Sequence, residues 1–198
     1  MTPAAQGPAI FALGFRVKSG FAIAVALRGS ASAPGVLARR VVELSDPAVA
    51  ETRQPYHDGF FKEQDDPREI ALRLKIVNRC AKQSVTALLK DACFAGLECR
   101  RAGLVVGSVI DPRKVGNPHI RAHANEGQLF RTVLEGALQS HGVGCEVIVE
   151  KQLAAKAAAE LGRRNADIAR AIAAFGKTLG GAWRADEKAA SAAAWLAL

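Results

Sequence analysis

The sequence predicts an α/β fold, a mixed five-stranded sheet with helices on both faces. Two observations support this prediction. The chain opens with three closely spaced apolar runs, and it continues with amphipathic helical patterns that alternate with short, β-branched runs. Strands that follow one another directly form an antiparallel meander, whereas strands separated by helices pair in parallel. The 198 residues are enough for one sizeable core, so we expect a single domain spanning residues 1–198.

The opening meander contains the first three predicted strands. Residues 9–27 comprise two apolar runs that flank Lys18, Ser19 and Gly20. Gly20 can adopt the positive φ of a tight turn, so this stretch is typical of a β-hairpin. A third apolar run, residues 35–44, extends the hairpin to a three-stranded antiparallel meander.

A long polar segment, residues 45–66, follows the meander and has no sustained hydrophobic period. Loops of this length inside compact domains are often lids or binding segments. Two interpretations are open. Either the aromatic residues anchor the loop to the core and His57 is solvated, or the loop covers a site in which His57 binds a proton or a phosphate. The aromatic residues are Tyr56, Phe60 and Phe61.

The αβ units that follow begin with two helices. Asp66 and Pro67 are a strong helix start, and the apolar stripe after them predicts a helix that ends near Phe94. A second helix is predicted over residues 125–141, with Gln128 completing a capping box. Strands are predicted at residues 103–110 and 145–149, and Ala-rich helices at residues 152–161, 166–179 and 184–198.

The charge balance favours a polyanionic partner. Lys and Arg number 27 against 19 Asp and Glu, so the net charge is +8. Positive charge is concentrated in residues 100–121 and 150–184. If both segments border one sheet edge, they form a groove for a phosphate backbone. Nucleic acid is therefore the expected partner, although the same balance also fits a soluble protein that merely avoids neutrality.

Other features of the composition concern the cellular compartment. The first residues lack the basic segment of a secretory signal, and no apolar run approaches the roughly 20 residues that span a bilayer. The cysteines have no spacing typical of a zinc or redox motif, so we expect buried free thiols in a reducing compartment. These features predict a cytoplasmic protein without membrane contact. The four cysteines are Cys80, Cys93, Cys99 and Cys145.

Four short motifs resemble the RuvC/YqgF-like branch of the ribonuclease H-like superfamily. Residues 13–16, Leu-Gly-Phe-Arg, are similar to the family's LGIDPG strand and turn. Residues 104–107 resemble the strand that ends in VVG, and residues 149–151 resemble the DER-like segment. Residues 186–190 resemble the DxxAA element at the start of the final helix. The element order β-β-β-α-β-α-β-α-α-α is likewise that of the ribonuclease H-like fold.

This resemblance implies a nucleic-acid-binding protein whose metal-dependent nuclease activity is altered, weak or absent. Nucleases of the family gather carboxylates around two Mg²⁺ ions. Where the family has Asp on the first strand, this chain has Arg16, whose charge would repel Mg²⁺. The remaining acids with an implied catalytic role are Glu150 and Asp186, which could still bind one Mg²⁺ ion. Asp111 or Glu126 could add a third ligand.

In the alternative interpretation no metal is bound. Glu150 then pairs with Arg16, and Asp186 favours the N-terminus of its helix. Arg16 would act as a phosphate contact in either case. The residues expected to contact nucleic acid are Arg16, Lys18, Arg113, Lys114, Arg121 and Lys151.

A second cluster supports a different class of function. His123 and Glu126 are three residues apart at the start of a predicted helix, with His119 and Arg121 nearby. In one interpretation His123 and Glu126 are catalytic, as acid and base, in an enzyme of another class, which requires them to meet the His57 loop. In the other, Glu126 stabilises the first helical turn and the histidines are solvated. No HxH or HExxH spacing favours a metal here.

A third hypothesis is a non-catalytic interaction or oligomerisation module of ribonuclease H-like fold. Its motivation is that the sequence places Trp183 and Trp195 on an otherwise small-residue surface of the Ala-rich C-terminal helices. A homo-oligomer is therefore one of the expected possibilities.

Overall fold

The computed structural model describes residues 9–59 and 62–198, so Phe60 and Phe61 of the predicted loop lie outside the described residues. The strands are β1 (Ala9–Val17), β2 (Phe21–Ser30), β3 (Ala33–Glu43), β4 (Leu97–Val106) and β5 (Gly144–Val149). The α-helices are α1 (Pro67–Leu89), α2 (Pro118–Gln139), α3 (Glu150–Leu161), α4 (Asn165–Leu179) and α5 (Ala185–Ala197).

The strands form a single sheet in the order β3-β2-β1-β4-β5. β1 pairs antiparallel with β2 and parallel with β4, and β4 pairs parallel with β5. The predicted mixed sheet, with an antiparallel meander followed by αβ units, is confirmed. Because β1, β4 and β5 are parallel, their carboxyl ends lie at one edge of the sheet, which we call the carboxyl edge.

Helices cover both faces of this sheet, as predicted. On one face α1 and α2 pack against side chains of β1 such as Leu13 and Phe15. On the other face α3, α4 and α5 pack against Val25 and Val105. Since the side chains of a strand alternate between faces, each strand contributes to both hydrophobic cores.

Helix α5 lies directly on the sheet because two neighbouring strand positions have no side chain. Gly14 of β1 is paired in register with Gly103 of β4. A Cβ atom at Gly14 would overlap the backbone of Ala190, and one at Gly103 would come within 2.7 Å of the carbonyl oxygen of Ala193. The small residues of α5 and the two glycines therefore permit a close approach between helix and sheet.

Three predicted elements have wrong boundaries. Helix α2 begins at Pro118 instead of Asn125, because the Asn117 side chain accepts a hydrogen bond from the backbone N–H of Ile120 and Pro118 occupies the first helical position. Gln128 consequently lies inside the helix and completes no capping box. Helix α1 ends before Phe94, where a short 3₁₀ turn (Ala92–Phe94) follows. Strand β4 begins and ends earlier than predicted, because its first residues pair with β1.

The expectation of buried thiols is wrong. All four cysteines are free and lie within the described residues, but none is fully buried, since Cys93 is exposed and the others are half-buried. Cys93 lies in the 3₁₀ turn after α1, beyond the apolar stripe of that helix. Burial raises the pKa of Cys99 to about 12 and that of Cys145 to about 11, so both thiols stay protonated at neutral pH.

Within residues 9–59 and 62–198, no helix combines the length and the apolar character that crossing a membrane requires.

Candidate functional site

Arg16 is the polar residue that the central strand brings to the carboxyl edge. Its neighbours Phe15 and Val17 pack in the core under α1 and α2, so Arg16 projects from the opposite face, toward the start of α5. Its side chain is only 9% exposed. One guanidinium nitrogen, Nη1, also donates to the backbone carbonyl groups of Val17 and Val105.

Two carboxylates approach Arg16 from different helices. Arg16 Nη2 lies 2.6 Å from Glu150 Oε2, at the first residue of α3. Arg16 Nε lies 3.6 Å from Asp186 Oδ1, in the first turn of α5, and Lys18 Nζ lies 3.2 Å from the same oxygen. We call these four residues the ion-paired centre. Its two cations and two carboxylates balance one another.

This balance bears on whether the centre fits Mg²⁺. Hard cations require carboxylate oxygens that face an open position. Here Glu150 and Asp186 both face the guanidinium of Arg16. Asp111 is engaged elsewhere, because it accepts hydrogen bonds from the backbone and side chain of Arg113. The arrangement fits an ion-paired centre better than a Mg²⁺ centre, and metal binding by Glu150 and Asp186 stays a prediction that requires Arg16 to move.

A second group of side chains meets on the other face of the sheet, which α2 covers. His57 Nδ1 lies 2.7 Å from Glu126 Oε1, and His57 Nε2 lies 3.3 Å from His119 Nδ1. His123 Nδ1 lies 3.5 Å from Glu126 Oε2. We call His57, His119, His123 and Glu126 the histidine cluster.

The buried members of this cluster have shifted pKa values. Glu126 is fully buried, and burial raises its pKa to about 7, an effect that the nearby His123 opposes. Burial lowers the pKa of His57, against the opposing charge of Glu63. Desolvation therefore favours the uncharged form of both groups in the His57–Glu126 pair.

The loop that carries His57 is fixed by specific contacts. Arg73 of α1 donates a hydrogen bond of 2.8 Å to the backbone carbonyl of His57. His57 also forms an isolated β-bridge with Glu63, whose carboxylate makes a bidentate pair with Arg121 of α2, at 3.0 and 2.5 Å. The loop therefore holds His57 against α2, and the interpretation that leaves His57 in solvent is wrong.

The structure brings together the groups that the acid–base hypothesis required, His57, His123 and Glu126. The alternative, with Glu126 in the first helical turn, is wrong because Glu126 lies two turns inside α2 and faces the core. His119 was named beside the predicted pair but was given no role. Its signal was the four-residue spacing to His123, which aligns the two side chains on one face only if the helix has already begun at Pro118.

Both groups border one pocket of about 250 Å³ at the carboxyl edge. Arg16 and Lys18 contribute from β1 and the turn after it, Ser108 from the segment that follows β4, and His123 from α2. A ligand in this pocket would meet cations on one side and an imidazole on the other.

The remaining predicted nucleic-acid contacts differ in their availability. Lys114 and Lys151 are exposed near the carboxyl edge. Arg113 is also exposed but pairs with Asp111, and Arg121 is engaged by Glu63. Thus the structure offers the lysines to a ligand more freely than the arginines.

No protein-family model matches the sequence, and neither does any curated protein. Solved structures do match. They include Thermus thermophilus RuvC in complex with a Holliday junction substrate, with a TM-score of 0.55, 12% identity, and coverage of 94% of this chain and 91% of that chain. The chain has a RuvC-like fold. Thermus thermophilus RuvC alone matches with a TM-score of 0.54 and 12% identity, covering 94% of this chain and 92% of that chain.

The yeast mitochondrial Holliday junction resolvase Ydc2 matches with a TM-score of 0.47 and 11% identity, covering 98% of this chain and 82% of that chain. The two RuvC matches confirm the predicted ribonuclease H-like class. Since one fold serves many functions, activity has to be argued from the site.

Proposed function

We propose that this RuvC-like chain binds nucleic acid through the carboxyl edge of its sheet and that its metal-dependent nuclease activity is weak or absent. The observation that carries the proposal is the ion-paired centre. Where the resembling nucleases have an acid on the first strand, Arg16 lies buried between Glu150 and Asp186. The RuvC structure that matches best in fold among those described above is a complex with a Holliday junction substrate, which adds support for a nucleic-acid ligand.

The charges around the edge support phosphate binding. Lys18 is 38% exposed, and Lys114 and Lys151 are exposed. The whole chain has a net charge of +8. Lysine side chains at an exposed edge release counterions when they contact phosphates, so binding is expected to weaken steeply with salt.

The same centre explains the expected loss of cleavage. Cleavage by metal ions needs carboxylates that can orient the ions at the phosphate. Glu150 and Asp186 instead compensate the charge of Arg16, which has little contact with solvent. Removing that compensation would leave a buried cation, which is strongly unfavourable.

Fluorescence anisotropy with labelled duplex, single-stranded and four-way-junction DNA, and with RNA of the same lengths, tests the binding. We expect the logarithm of the affinity to fall linearly with the logarithm of the salt concentration, with a slope of about −3 to −4 if four phosphates are contacted. Lys114→Glu and Lys151→Glu should each reduce both the affinity and the slope. Arg28→Glu is the matched control with the same change of charge, because Arg28 is exposed and pairs in register with Phe11, near the opposite edge of the sheet. A loss in Arg28→Glu equal to that in either lysine variant would contradict the proposed interface.

Incubation of the same substrates with Mg²⁺ or Mn²⁺ tests the second part of the proposal. We expect no products, or products that form orders of magnitude more slowly than substrate binds. Efficient cleavage that Asp186→Asn abolishes would show that Arg16 leaves the carboxylates available to metal ions.

A second candidate function is an acid–base enzyme of another class, and the convergence of His57, His123 and Glu126 favours it. The shared pocket, with Arg16 and Lys18 on its other side, suits an anionic substrate. Hydrolysis of bis(p-nitrophenyl) phosphate, lost in Glu126→Gln and retained in Asp186→Asn, would favour this candidate over the first.

A further inference from the structure

The histidine cluster contains three of the four histidines of the chain. One ring nitrogen from each of His57, His119 and His123 lies within 4.8 Å of the other two. His57 Nε2 and His119 Nδ1 are 3.3 Å apart. Zn–N distances of 2.0–2.1 Å in a tetrahedral site place two ligand nitrogens about 3.3 Å apart. The distance between these two nitrogens therefore already matches the ligand–ligand distance of a tetrahedral zinc site.

The backbone that carries the three imidazoles is well defined. His119 and His123 are four residues apart on α2, so both side chains lie on the same face of the helix. His57 is held against that face by the contacts of its loop with Arg73 and Glu63. Three ligands on two tethered segments need little rearrangement to bind an ion.

Glu126 provides an independent observation. Its carboxylate is fully buried, and Oε1 contacts His57 Nδ1 at 2.7 Å, which leaves Nε2 of the same ring directed toward His119. The other oxygen, Oε2, has no hydrogen-bond partner among the described residues. Histidines that bind metals usually donate their second ring N–H to a carboxylate, a backbone carbonyl or a water molecule, and this contact fixes the ring orientation.

We propose that His57, His119 and His123 bind a divalent transition-metal ion of the zinc class, with Glu126 orienting His57 from outside the ligand set. Imidazole nitrogens prefer Zn²⁺, Co²⁺ or Ni²⁺, whereas Mg²⁺ and Ca²⁺ prefer oxygen ligands. This site is distinct from the ion-paired centre, and the proposal does not depend on nucleic-acid binding.

Three protein ligands leave one tetrahedral position for an exchangeable ligand, the arrangement of catalytic zinc sites. The side chain of His123 is 49% exposed and also lines the pocket that Arg16 and Lys18 border. A water molecule or an anionic group in that pocket would therefore supply the fourth ligand.

Titration of the purified protein with Co²⁺ in excess Mg²⁺ tests the proposal. We expect saturation at about one ion per chain, an intense visible absorption typical of a tetrahedral site, and displacement by Zn²⁺. His119→Gln and His123→Gln should each weaken binding by about 100-fold or more. His141→Gln is the matched control, because His141 is the remaining histidine, is exposed, and hydrogen-bonds to Thr86 away from the cluster.

Glu126→Gln tests the positioning role. It should weaken Co²⁺ binding by about 10–100-fold while keeping the shape of the absorption band, because the ligands are unchanged. Since His123 is half-exposed, its variant is expected to fold, and circular dichroism checks this. The proposal is overturned if the wild-type protein gives no tetrahedral absorption, or if His123→Gln and His141→Gln bind Co²⁺ equally well.

Discussion

The ion-paired centre and the histidine cluster lie at the same edge of one sheet, on opposite faces, and they treat buried charge differently. In the ion-paired centre, the buried guanidinium of Arg16 is compensated by Glu150 and Asp186. In the histidine cluster, the buried carboxylate of Glu126 faces imidazoles, and its pKa is raised to about 7. The two carboxylates of the first group face a cation of the chain itself, whereas imidazole nitrogens of the second face one another. The position that resembles the family's catalytic acid, Arg16, and the side chains best suited to bind a metal ion, the histidine cluster, therefore need not coincide in one fold.

The largest expected effect comes from Arg16→Asp, which would replace the cation of the ion-paired centre with a third carboxylate. Three carboxylates would then face one another, and we expect the free energy of unfolding to fall by about 3 kcal/mol in the absence of metal ions. Mg²⁺ should restore much of that loss in the variant and should leave the wild-type protein unchanged. Thermal unfolding with and without Mg²⁺ measures both quantities.

Arg16→Met is the control for this comparison, because it removes the cation without adding an acid. It should lose stability and respond to Mg²⁺ less than Arg16→Asp does, because only two carboxylates remain. If Mg²⁺ stabilises the wild-type protein as much as Arg16→Asp, the ion-paired centre already binds the ion, and the contrast between the two regions fails.

The next effect compares the carboxylates of the two regions. Glu126→Ala should lower the free energy of unfolding by about 2 kcal/mol, because it leaves a cavity and an unpaired nitrogen on the buried His57. Glu150→Ala should cost less, because Glu150 is half-exposed and Arg16 keeps its contacts with Asp186 and two carbonyl groups. Urea unfolding gives both values, and the reverse order would contradict this description of burial.

A smaller effect tests whether the two regions bind different ligands, nucleic acid and a metal ion. Lys18→Gln should weaken nucleic-acid binding by about tenfold and reduce the slope of its salt dependence by about 1, with Co²⁺ affinity unchanged. His123→Gln should weaken Co²⁺ binding and leave the nucleic-acid affinity and its salt dependence unchanged. Anisotropy and Co²⁺ titration of the two variants measure this, and a joint loss of both activities in either variant would mean that the regions act as one site.

The smallest effect comes from an exposed ion pair outside both regions. Its loss of stability is the reference with which the larger losses are compared. The Arg40 side chain, 2.7 Å away, holds the pKa of Asp91 well below its usual range. A depressed pKa stabilises the fold above the unfolded value of about 3.9 and loses that contribution as the pH falls through the folded value. Asp91→Asn should therefore lower the melting temperature by only a few degrees at neutral pH, and the difference should vanish in strong acid. A loss as large as that of Glu126→Ala would contradict this ranking.

The elements with strong local signals could be predicted from the sequence. Gly20 has a φ of +85° in the turn between β1 and β2, and Asp66 caps α1 through the backbone N–H of Arg68, as their residue types indicated. The sheet class followed from the order of such elements. The start of α2 was missed because Asn117-Pro118 and the segment after Asn125 both carry start signals, and local pattern alone does not rank them.

The meeting of His57 with His123 and Glu126 could be stated as a hypothesis but could not be decided from the sequence, for a related reason. His57 and Glu126 are far apart in the sequence, and only tertiary packing of a loop on a helix brings them within 2.7 Å. The wrong start of α2 also concealed the alignment of His119 with His123. By contrast, the proximity of Arg16, Glu150 and Asp186 could be predicted, because strand and helix ends at one edge of a sheet meet by topology.

The contact between α5 and the glycine pair of β1 and β4 has a consequence for how the chain reaches its fold. Helix α5 packs on the first strand, although almost the whole described sequence separates the two. Closing so long a loop is entropically costly, so this contact is expected to form late and to slow folding. During synthesis, the sheet surface at Gly14 and Gly103 is not covered by α5 until that helix, which ends at Ala197, has left the ribosome. A chain that ends before Ala185 should therefore remain dependent on chaperones, even though every strand of the sheet is already present.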